Sequence, residues 1–274
     1  MPKLLSADAI ARFHDHGFYY PVPILTSEET RYFRGRFAEF EQREGGTLTP
    51  AGRNKSHLFL KWLHELVTHP KLLDAVEDLI GPNILLYHAQ WFVKEPNTPH
   101  FVSFHQDTAY WALTEAQGLS TWIALEPAPI EAGCMKVIPD THRAALAHGE
   151  VRTQDNMLWR GQTVADPLDT TKAVAMPLDA GEMSIHHARI VHGSGPNMSN
   201  GRRIGYSVRY LPTHVARTGP RDSAMLVRGV DEYGHFDLEP APSADYEPAA
   251  VALHAEINRQ FMEHYNTAKP ERAA

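Results

Sequence analysis

The sequence predicts a mainly β protein with flanking α-helices, built around a double-stranded β-helix, the cupin-like jelly roll. First, short runs of β-branched and aromatic residues alternate with turn residues over 83–215, as in sandwiches and barrels. Second, apolar residues recur at helical spacing on both sides of this region. We therefore expect a single domain over 1–274, with a helical layer at about 1–82, the core at about 83–215, and a C-terminal loop and helix at 216–274.

Apolar periodicity predicts several helices before the core. Ser6 can cap the first helix, which Gly17 can end. A strand over Phe18–Val22 follows, and a capping signal at Thr26 opens a second helix that runs to about Arg43. A polar loop and two further helices are then expected at 45–55, 58–66 and 70–80.

Apolar runs bounded by turn residues predict the strands of the core. They are expected at Ile84–Val93, Phe101–Tyr110, Ser120–Leu125, Gly133–Pro139, Met183–His192 and Arg203–Pro212. Side chains alternate along a strand, so Trp122 and Ala124 should lie on the face opposite Thr121 and Ile123.

Fewer signals are present in the C-terminal region. Proline and glycine recur over residues 217–247, which predicts a loop. A closing helix is expected over residues 249–267, because apolar residues recur there at a spacing of four, namely Leu253, Ile257, Phe261 and Tyr265.

Charge and composition exclude several kinds of partner. The net charge is −7, and no basic run is present that would bind nucleic acid or an anionic membrane surface. No stretch approaches the ~20 apolar residues of a membrane span, and the first residues lack the apolar stretch of a secretory signal. The single cysteine, Cys134, can form no internal disulfide, which suits a reducing compartment. We expect a cytoplasmic protein that binds a small molecule, with a homodimer as a possible assembly.

The candidate functional residues centre on the segment Phe104-His105-Gln106-Asp107. In an extended strand His105 and Asp107 lie on one face, so both can reach one metal while Gln106 points away. Such a pair is weak support by itself in a chain with 17 histidines. Together with His192, it supplies the two histidines and one carboxylate of a facial triad, the open site that binds non-haem Fe(II).

The segment after His192 predicts an anion site beside the metal. Turn residues over 193–201 would fold the strand of His192 back as an antiparallel neighbour and bring an arginine into the barrel. A guanidinium binds a carboxylate in a bidentate manner. A co-substrate that chelates iron at one end and carries a second carboxylate needs such an anchor, and 2-oxoglutarate is such a molecule.

Two arginines compete for this role. Arg203 shares its face of the strand with Ser207 and Arg209, whereas Arg202 shares the face of apolar residues, so Arg203 is the better candidate. Ser194 lies two residues after His192, shares its face, and could hydrogen-bond the same carboxylate.

Three segments resemble the phytanoyl-CoA dioxygenase family. They are His105-Gln106-Asp107, residues 133–142, and the run that begins at His192-Gly193-Ser194-Gly195 and ends at Arg203. The last run is the most specific of the three. The family consists of jelly-roll oxygenases and includes ectoine hydroxylases, so the resemblance, which covers residues 5–215, implies Fe(II), 2-oxoglutarate and O2 as cofactors.

The resemblance also implies roles for individual residues. The metal ligands would be His105, Asp107 and His192. The co-substrate would be bound by Arg203 and Ser194, with Lys94 as a further cation and Trp122 packed beside it. Because Asp107 is present, the halogenases of this family, which have a small residue there, are disfavoured as a model.

Candidate substrate contacts lie close to the same segments. In ectoine hydroxylases an aromatic residue at the position of Trp111 lines the substrate site, and Tyr110 is its alternative here. Gln90 lies on the pocket face of its strand, and Arg209 could anchor an anion. Aromatic rings can also hold a quaternary ammonium group. These features favour hydroxylation of an unactivated C–H bond in a small zwitterion, such as an ectoine-like, quaternary-ammonium or aminophosphonate compound.

Two alternatives remain open. His187 could replace His192 as the distal ligand, although no Ser or Arg follows it at the fitting distances. The chain could also be a jelly-roll metalloprotein without oxygenase activity, such as a cupin-like isomerase or a binding module. Such a site would use more histidines and would not need Arg203.

Overall fold

Two facing β-sheets form the centre of the molecule. The structure is a computed structural model, and it describes residues 2–267. The strands of these residues are β1 (Phe18–Pro23), β2 (Ile84–Lys94), β3 (Val102–His105), β4 (Leu119–Ala124), β5 (Met135–Ile138), β6 (His148–Glu150), β7 (Gln162–Val164), β8 (Val174–Met176), β9 (Glu182–His187), β10 (Val191–Ser194), β11 (Arg203–Pro212), β12 (Ser223–Arg228) and β13 (Asp237–Leu238). The larger sheet has the order β1-β9-β4-β11-β2-β12-β13, the smaller has the order β3-β10-β5-β8, and β6 pairs with β7. This confirms the predicted jelly roll with flanking helices.

The helices flank the larger sheet. They are α1 (Ala7–His16), α2 (Ser27–Arg43), α3 (Pro50–Arg53), α4 (Lys61–Val67), α5 (Pro70–Ile80) and α6 (Pro248–Thr267). The predicted caps are present: Ser6 Oγ accepts from the amide of Ala9, Gly17 is left-handed with φ 84°, and Thr26 forms a capping box with Glu29.

The main apolar core lies between these helices and the outer face of the larger sheet. Phe37 and Phe40 of α2 and Val76 of α5 are buried there against Ile204 and Tyr206 of β11. Because side chains alternate along β11, its other face points into the sandwich and carries Arg203, Gly205, Ser207 and Arg209.

The pairing register of β11 determines which residues share this inner face. β11 runs antiparallel to β2, with Arg203 opposite Lys94, Ser207 opposite Gln90 and Arg209 opposite His88. On its other side it runs antiparallel to β4, with Ser207 opposite Trp122 and Arg209 opposite Ser120. The polar residues of three central strands therefore converge inside the sandwich.

The prediction that the strand of Arg203 pairs directly with the strand of His192 is wrong. Residues 183–192 do not form one strand but the separate strands β9 and β10, which belong to different sheets. β10 pairs with β3 and β5, while β11 pairs with β2 and β4, so β11 is not the neighbour of β10. Strand β11 lies in the larger sheet because its apolar face can be buried only under the helices, which cover that sheet. His192 and Arg203 therefore enter the interior from opposite sheets.

The C-terminal region and one loop also differ from expectation. Residues 217–247 contain β12, which pairs with β2, and β13, which pairs with β12. The loop over 45–55 contains the short helix α3. β1 and β12 extend the larger sheet outside the range 83–215. No helix within residues 2–267 is long and apolar enough to cross a membrane.

Candidate metal and co-substrate site

Three buried side chains converge between the sheets. One ligand-type atom from each of His105, Asp107 and His192 lies within 4.8 Å of the others. The two histidines are direct cross-strand partners of β3 and β10, and their ring centroids are 4.2 Å apart. The His187 side chain points elsewhere, with Nδ1 accepting from the amide of Arg189. His105, Asp107 and His192 therefore supply the donor set of a facial triad.

Backbone carbonyls orient both imidazoles. His105 Nδ1 lies 2.9 Å from the Ser103 carbonyl, and His192 Nδ1 lies 3.0 Å from the Ile190 carbonyl. When Nδ1 carries the hydrogen and donates it to a carbonyl, Nε2 keeps a free electron pair that can bind a metal. Burial, followed by the neighbouring imidazoles of His105 and His186, lowers the pKa of His192 well below its ordinary value. The residues present therefore fit a divalent metal.

Asp107 reaches the site by a different backbone path from the predicted one. β3 ends at His105, and Asp107 begins a 3₁₀ turn over Asp107–Tyr110, so the predicted strand through Tyr110 is wrong. Gln106 between them is extended, with φ −107° and ψ 130°, which keeps the i, i+2 relation. As predicted, Gln106 points away from the metal ligands, and its amide bonds the Ala144 and Arg189 carbonyls.

The two oxygens of Asp107 have different partners. Oδ2 accepts from Ser120 Oγ at 2.7 Å and lies 3.9 Å from His186 Nε2. Oδ1 lies 3.6 Å from His105 Nε2 and 3.4 Å from Arg209 Nη2. Burial alone would raise the pKa of this carboxyl, but Arg209 and the surrounding imidazoles hold it well below its ordinary value. Asp107 is therefore ionised at neutral pH.

His186 belongs to this group of residues, although no sequence motif singled it out. Its ring centroid is 4.5 Å from that of His192, and neither of its nitrogens has a hydrogen-bond partner among residues 2–267. Its cross-strand partner is Ser120, the donor to Asp107. The signal that could have identified it is alternation, since Ser184 and His186 share one face of β9.

A second group of residues lies behind the metal ligands, at the end of β11. Arg203 is buried and donates from Nη1 to the Gly133 carbonyl, and its Nε has no partner among residues 2–267. Its guanidinium lies 5.2 Å from the ring centroid of Trp122. Burial lowers its pKa to about 10, so it is still a cation at neutral pH. Arg202 instead pairs with Glu41 and Glu95 on the outer face.

Lys94 adds a second basic group to this corner. Its ammonium donates to Ser194 Oγ at 2.8 Å and also to the Gly195 carbonyl. Burial, and then repulsion from Arg203, lowers the pKa of Lys94 to about 6. No acidic side chain lines this corner among the described residues. An anion would relieve the repulsion, so the corner is electrostatically prepared for a carboxylate.

Two cavities meet at the metal ligands. The inner cavity measures about 30 Å³ and is lined by Arg203, Ser194, Trp122 and Ser207. The outer cavity measures about 470 Å³ and opens beneath α6. His105 and Arg209 line both cavities. The candidate metal site therefore separates a narrow basic corner from a larger chamber.

The outer cavity contains three of the four predicted substrate residues. Trp111, Gln90 and Arg209 line it. Tyr110 does not, because its ring packs against the Arg160 guanidinium and Tyr265. Of the other aromatic residues near the motif, Trp91 belongs to the core, where it contacts Phe37.

Several lining residues were missed from the sequence. They come from segments without a recognisable motif: Leu158 and Trp159 in the loop before β7, and Phe261 and Tyr265 on α6. The spacing of four on α6 had indicated that Phe261 and Tyr265 share a face, but the surface they contact was not predictable.

The fold and the site together define a class of protein, jelly-roll proteins with a candidate His-Asp-His metal site. The family model described as phytanoyl-CoA dioxygenase matches residues 3–205. A solved structure described as the non-heme monooxygenase ThoJ is 31% identical, covers 94% of this chain and 98% of its own, and has a TM-score of 0.85. The structure titled "CytC3 with Fe(II) and alpha-ketoglutarate" has a TM-score of 0.67 at 23% identity over 90% of this chain and 97% of its own, and so supports the fold.

Sequence relatives agree with this class. A protein of Stutzerimonas stutzeri named "Probable alpha-ketoglutarate-dependent hypophosphite dioxygenase" is 30% identical over 62% of this chain and 61% of its own length. The human peroxisomal phytanoyl-CoA dioxygenase is 28% identical over 55% of this chain and 46% of its own. The matches thus span about half to three fifths of these relatives. This chain belongs to the phytanoyl-CoA dioxygenase family, which confirms the resemblance seen in its motifs.

Proposed function

We propose that this protein is an Fe(II)- and 2-oxoglutarate-dependent dioxygenase that hydroxylates an unactivated C–H bond of a small molecule. One observation carries the proposal: the His105, Asp107 and His192 donor set lies between a buried basic corner and a large chamber. A reaction in which co-substrate and substrate approach one metal from different sides requires this arrangement, with the metal between the basic corner and the chamber. Family membership supports the same reaction class.

The chain's own residues would bind and orient the reactants. His105, Asp107 and His192 would hold iron, and bound iron would supply the activation of O2 for C–H oxidation. Ser120 would keep Asp107 Oδ2 engaged, so that Oδ1 is presented to the metal. The buried walls of the chamber would exclude water from the reacting atoms.

The basic corner would hold the distal carboxylate of 2-oxoglutarate. Arg203 supplies the permanent charge, Ser194 and Lys94 supply further donors, and Trp122 packs against the guanidinium. The inner cavity of about 30 Å³ is narrow, so the co-substrate would have to displace side chains. Lys94 would take up a proton and exchange its bonds to Ser194 and Gly195 for the carboxylate, which stabilises the ammonium.

The substrate would occupy the outer cavity. Arg209 supports an anionic group at its floor, and the rings of Trp111 and Phe261 support either an apolar group or a cation. A small zwitterion, such as an ectoine-like, quaternary-ammonium or aminophosphonate compound, would satisfy both features. The relative named for hypophosphite is a further reason to test anions. We also propose that the enzyme acts in the cytoplasm, since the one cysteine, Cys134, is a free thiol.

One observation favours a second candidate function. His186 lies 3.9 Å from Asp107 Oδ2 and could add a third imidazole to the metal, as in a cupin-like isomerase or binding protein. Such a protein would not need the basic corner around Arg203. The two candidates therefore differ in whether 2-oxoglutarate binds next to the metal.

The test is an anaerobic titration of Fe(II)-loaded protein with 2-oxoglutarate. An oxygenase of this type should show a weak visible charge-transfer band, which Asp107→Ala should abolish or alter. Arg203→Ala should need at least ~10 times more 2-oxoglutarate, because a buried charge-assisted pair is lost. Arg202→Ala is the matched control and should titrate like wild type, since Arg202 pairs with Glu41 and Glu95 outside the site. Iron binding without any band would favour the cupin-like candidate.

A further inference from the structure

The floor of the outer cavity carries polar groups whose bonding is incomplete. Arg209 is 6% exposed and His88 is 4% exposed, and they are direct partners across β11 and β2. Arg209 Nε and Nη1 and His88 Nδ1 have no hydrogen-bond partner among residues 2–267. Both side chains line the cavity. The Arg209 nitrogens are donors, and buried donors are normally satisfied, so Arg209 indicates a ligand with acceptor atoms.

Asp107 satisfies at most one nitrogen of Arg209. The nearest approach is 3.4 Å, from Nη2 to Asp107 Oδ1, which is long for a charge-assisted hydrogen bond. The same oxygen faces His105 Nε2 on the side of the proposed metal. No other carboxylate lines the cavity among the described residues. The remaining guanidinium nitrogens are therefore available to an anion that enters the chamber.

Helix α6 forms an aromatic roof over this floor. Phe261 stacks on His88, with ring centroids 4.3 Å apart and planes at 15°, and it also stacks on Tyr265 at 5.7 Å. Trp111 lines another part of the cavity, and its ring lies 5.8 Å from the Arg209 guanidinium. A flat apolar group would find ring surfaces both at the roof and beside the cation.

The loop before β7 and the first residue of β7 fix the position of this roof. Gln162 Nε2 donates to the Tyr265 hydroxyl at 2.5 Å, and Trp159 Nε1 donates to Asn266 Oδ1 at 3.2 Å. Arg160 donates to the Tyr265 carbonyl. α6 lies outside residues 3–205, the part matched by the family model. The roof therefore lies outside the segment on which family membership rests.

We infer that the substrate is an organic anion with a flat apolar body, bound with its anionic group on Arg209 and His88 and its body under α6. The inference rests on the proposed function for the statement that the bound molecule is a substrate. The cavity of about 470 Å³ falls in the range that encloses drug-sized ligands, so it has room for a body larger than a small zwitterion. In this arrangement Phe261 selects the apolar body and Arg209 selects the charge.

Matched pairs of probes test the inference by calorimetry. The pairs are 4-phenylbutyrate with 4-phenylbutyramide and 2-naphthoate with 2-naphthamide, and ectoine and glycine betaine serve as small zwitterions. Binding is measured on the anaerobic Fe(II)- and 2-oxoglutarate-loaded protein and again on the metal-free protein. In at least one pair the carboxylate should bind wild type ~10 times more tightly than its amide, because only the carboxylate can pair with Arg209.

Variants assign the effect to the floor and the roof. In Arg209→Gln the preference for carboxylate over amide should fall to within about twofold, while Arg209→Lys should retain part of it. Phe261→Ala should weaken carboxylate and amide alike by ~10-fold, because a stacked ring is lost. Val251→Ala, on the exposed side of α6, is the control and should bind like wild type.

The outcomes separate this inference from the proposed function. Equal binding of carboxylate and amide in both pairs, a preference that survives in Arg209→Gln, or tighter binding of ectoine or betaine than of the aromatic anions would overturn it. The charge-transfer band with 2-oxoglutarate depends on none of these results. A protein that shows the band but no preference for anions would keep its proposed reaction and lose this substrate class.

Discussion

Arg202 and Arg203 are adjacent in the chain and have opposite environments. Arg202 is half-exposed and pairs with two glutamates, whereas Arg203 is buried beside Lys94 and has no acidic partner in the described part of the chain. The pleat of β11 alone separates them, because successive side chains point to opposite faces. Alternation with Ser207 and Arg209 is visible in the sequence, so the choice between the two arginines could be predicted.

The low pKa of Lys94 predicts that 2-oxoglutarate binding depends on pH. In the free protein this pKa is about 6 rather than 10.5, so the amine is largely neutral at pH 7.5. A bound carboxylate favours the ammonium, so the complex holds more protons than the free protein and affinity falls as pH rises above 6. Titrations at pH 6 to 9 should show a Kd that rises by at most ~10-fold per pH unit.

Lys94→Met is the comparison for this pH dependence. It should bind 2-oxoglutarate weakly at pH 6 and show little change up to pH 9, because Arg203, with a pKa of about 10, keeps its charge over this range. An equal slope in wild type and Lys94→Met would show that another group takes up the proton.

Gly205 makes room for the indole of Trp122. A Cβ at this position would lie 1.8 Å from Trp122 Cζ2, so Gly205→Ala should displace the indole from Arg203. We expect a loss of ~1–3 kcal/mol in the free energy of unfolding, the usual cost of overpacking, together with weaker 2-oxoglutarate binding. Urea denaturation and the charge-transfer titration measure the two effects. Gly201→Ala is the control, since nothing lies within 4 Å of its Cβ.

At the scale of elements, helix ends were predictable because their signals are local. Ser6, Gly17 and the capping box of Thr26 and Glu29 act within one turn of the chain. Strand partners were not predictable in the same way. The break between β9 and β10 and the assignment of β12 to the larger sheet depend on which distant apolar faces must be covered.

The capping box makes a prediction for α2. Thr26→Ala removes the acceptor of the Glu29 amide and should lower the free energy of unfolding by ~1 kcal/mol. Thermal and urea denaturation measure the change. Ser27→Ala, at the next and exposed position, should change stability by less than about half that amount. Equal effects of the two substitutions would argue against capping as the cause.

At the scale of the whole molecule, a buried ion pair joins the N-terminal layer to the C-terminal region. Lys55 and Glu239 are 0% and 1% exposed in their side chains, and Lys55 also donates to the Ser223 carbonyl. Ser223 begins β12, the strand that was not expected from the sequence. The pair therefore helps to hold β12, near one edge of the larger sheet, against the segment that contains Lys55.

Removing one partner of this pair should be costly. Lys55→Met leaves Glu239 buried without its cation and should lower the free energy of unfolding by ~3–5 kcal/mol. The double variant Lys55→Met, Glu239→Leu should recover much of this loss, because neither charge remains buried. Urea denaturation of wild type, the single variants Lys55→Met and Glu239→Leu, and the double variant gives the coupling energy. A loss in the double variant equal to the sum of the two single losses would show that the pair is not coupled.

The candidate site residues could be predicted from the sequence. His105, Asp107, His192, Arg203 and Ser194 could be proposed from spacing and residue type, because ligand chemistry restricts which side chains can bind a metal or a carboxylate. The jelly roll could be predicted for a similar reason, since strand and turn signals are local and numerous in this chain.

Tertiary structure was needed for everything that depends on distant parts of the chain meeting. It places His192 and Arg203 on opposite sheets, brings His186 and Ser120 to Asp107, and seats Phe261 of α6 over His88 and Arg209. None of these contacts has a local signal, because each depends on which apolar faces the whole molecule buries together. The ligand chemistry was therefore readable from the chain, whereas the shape of the substrate chamber followed from packing.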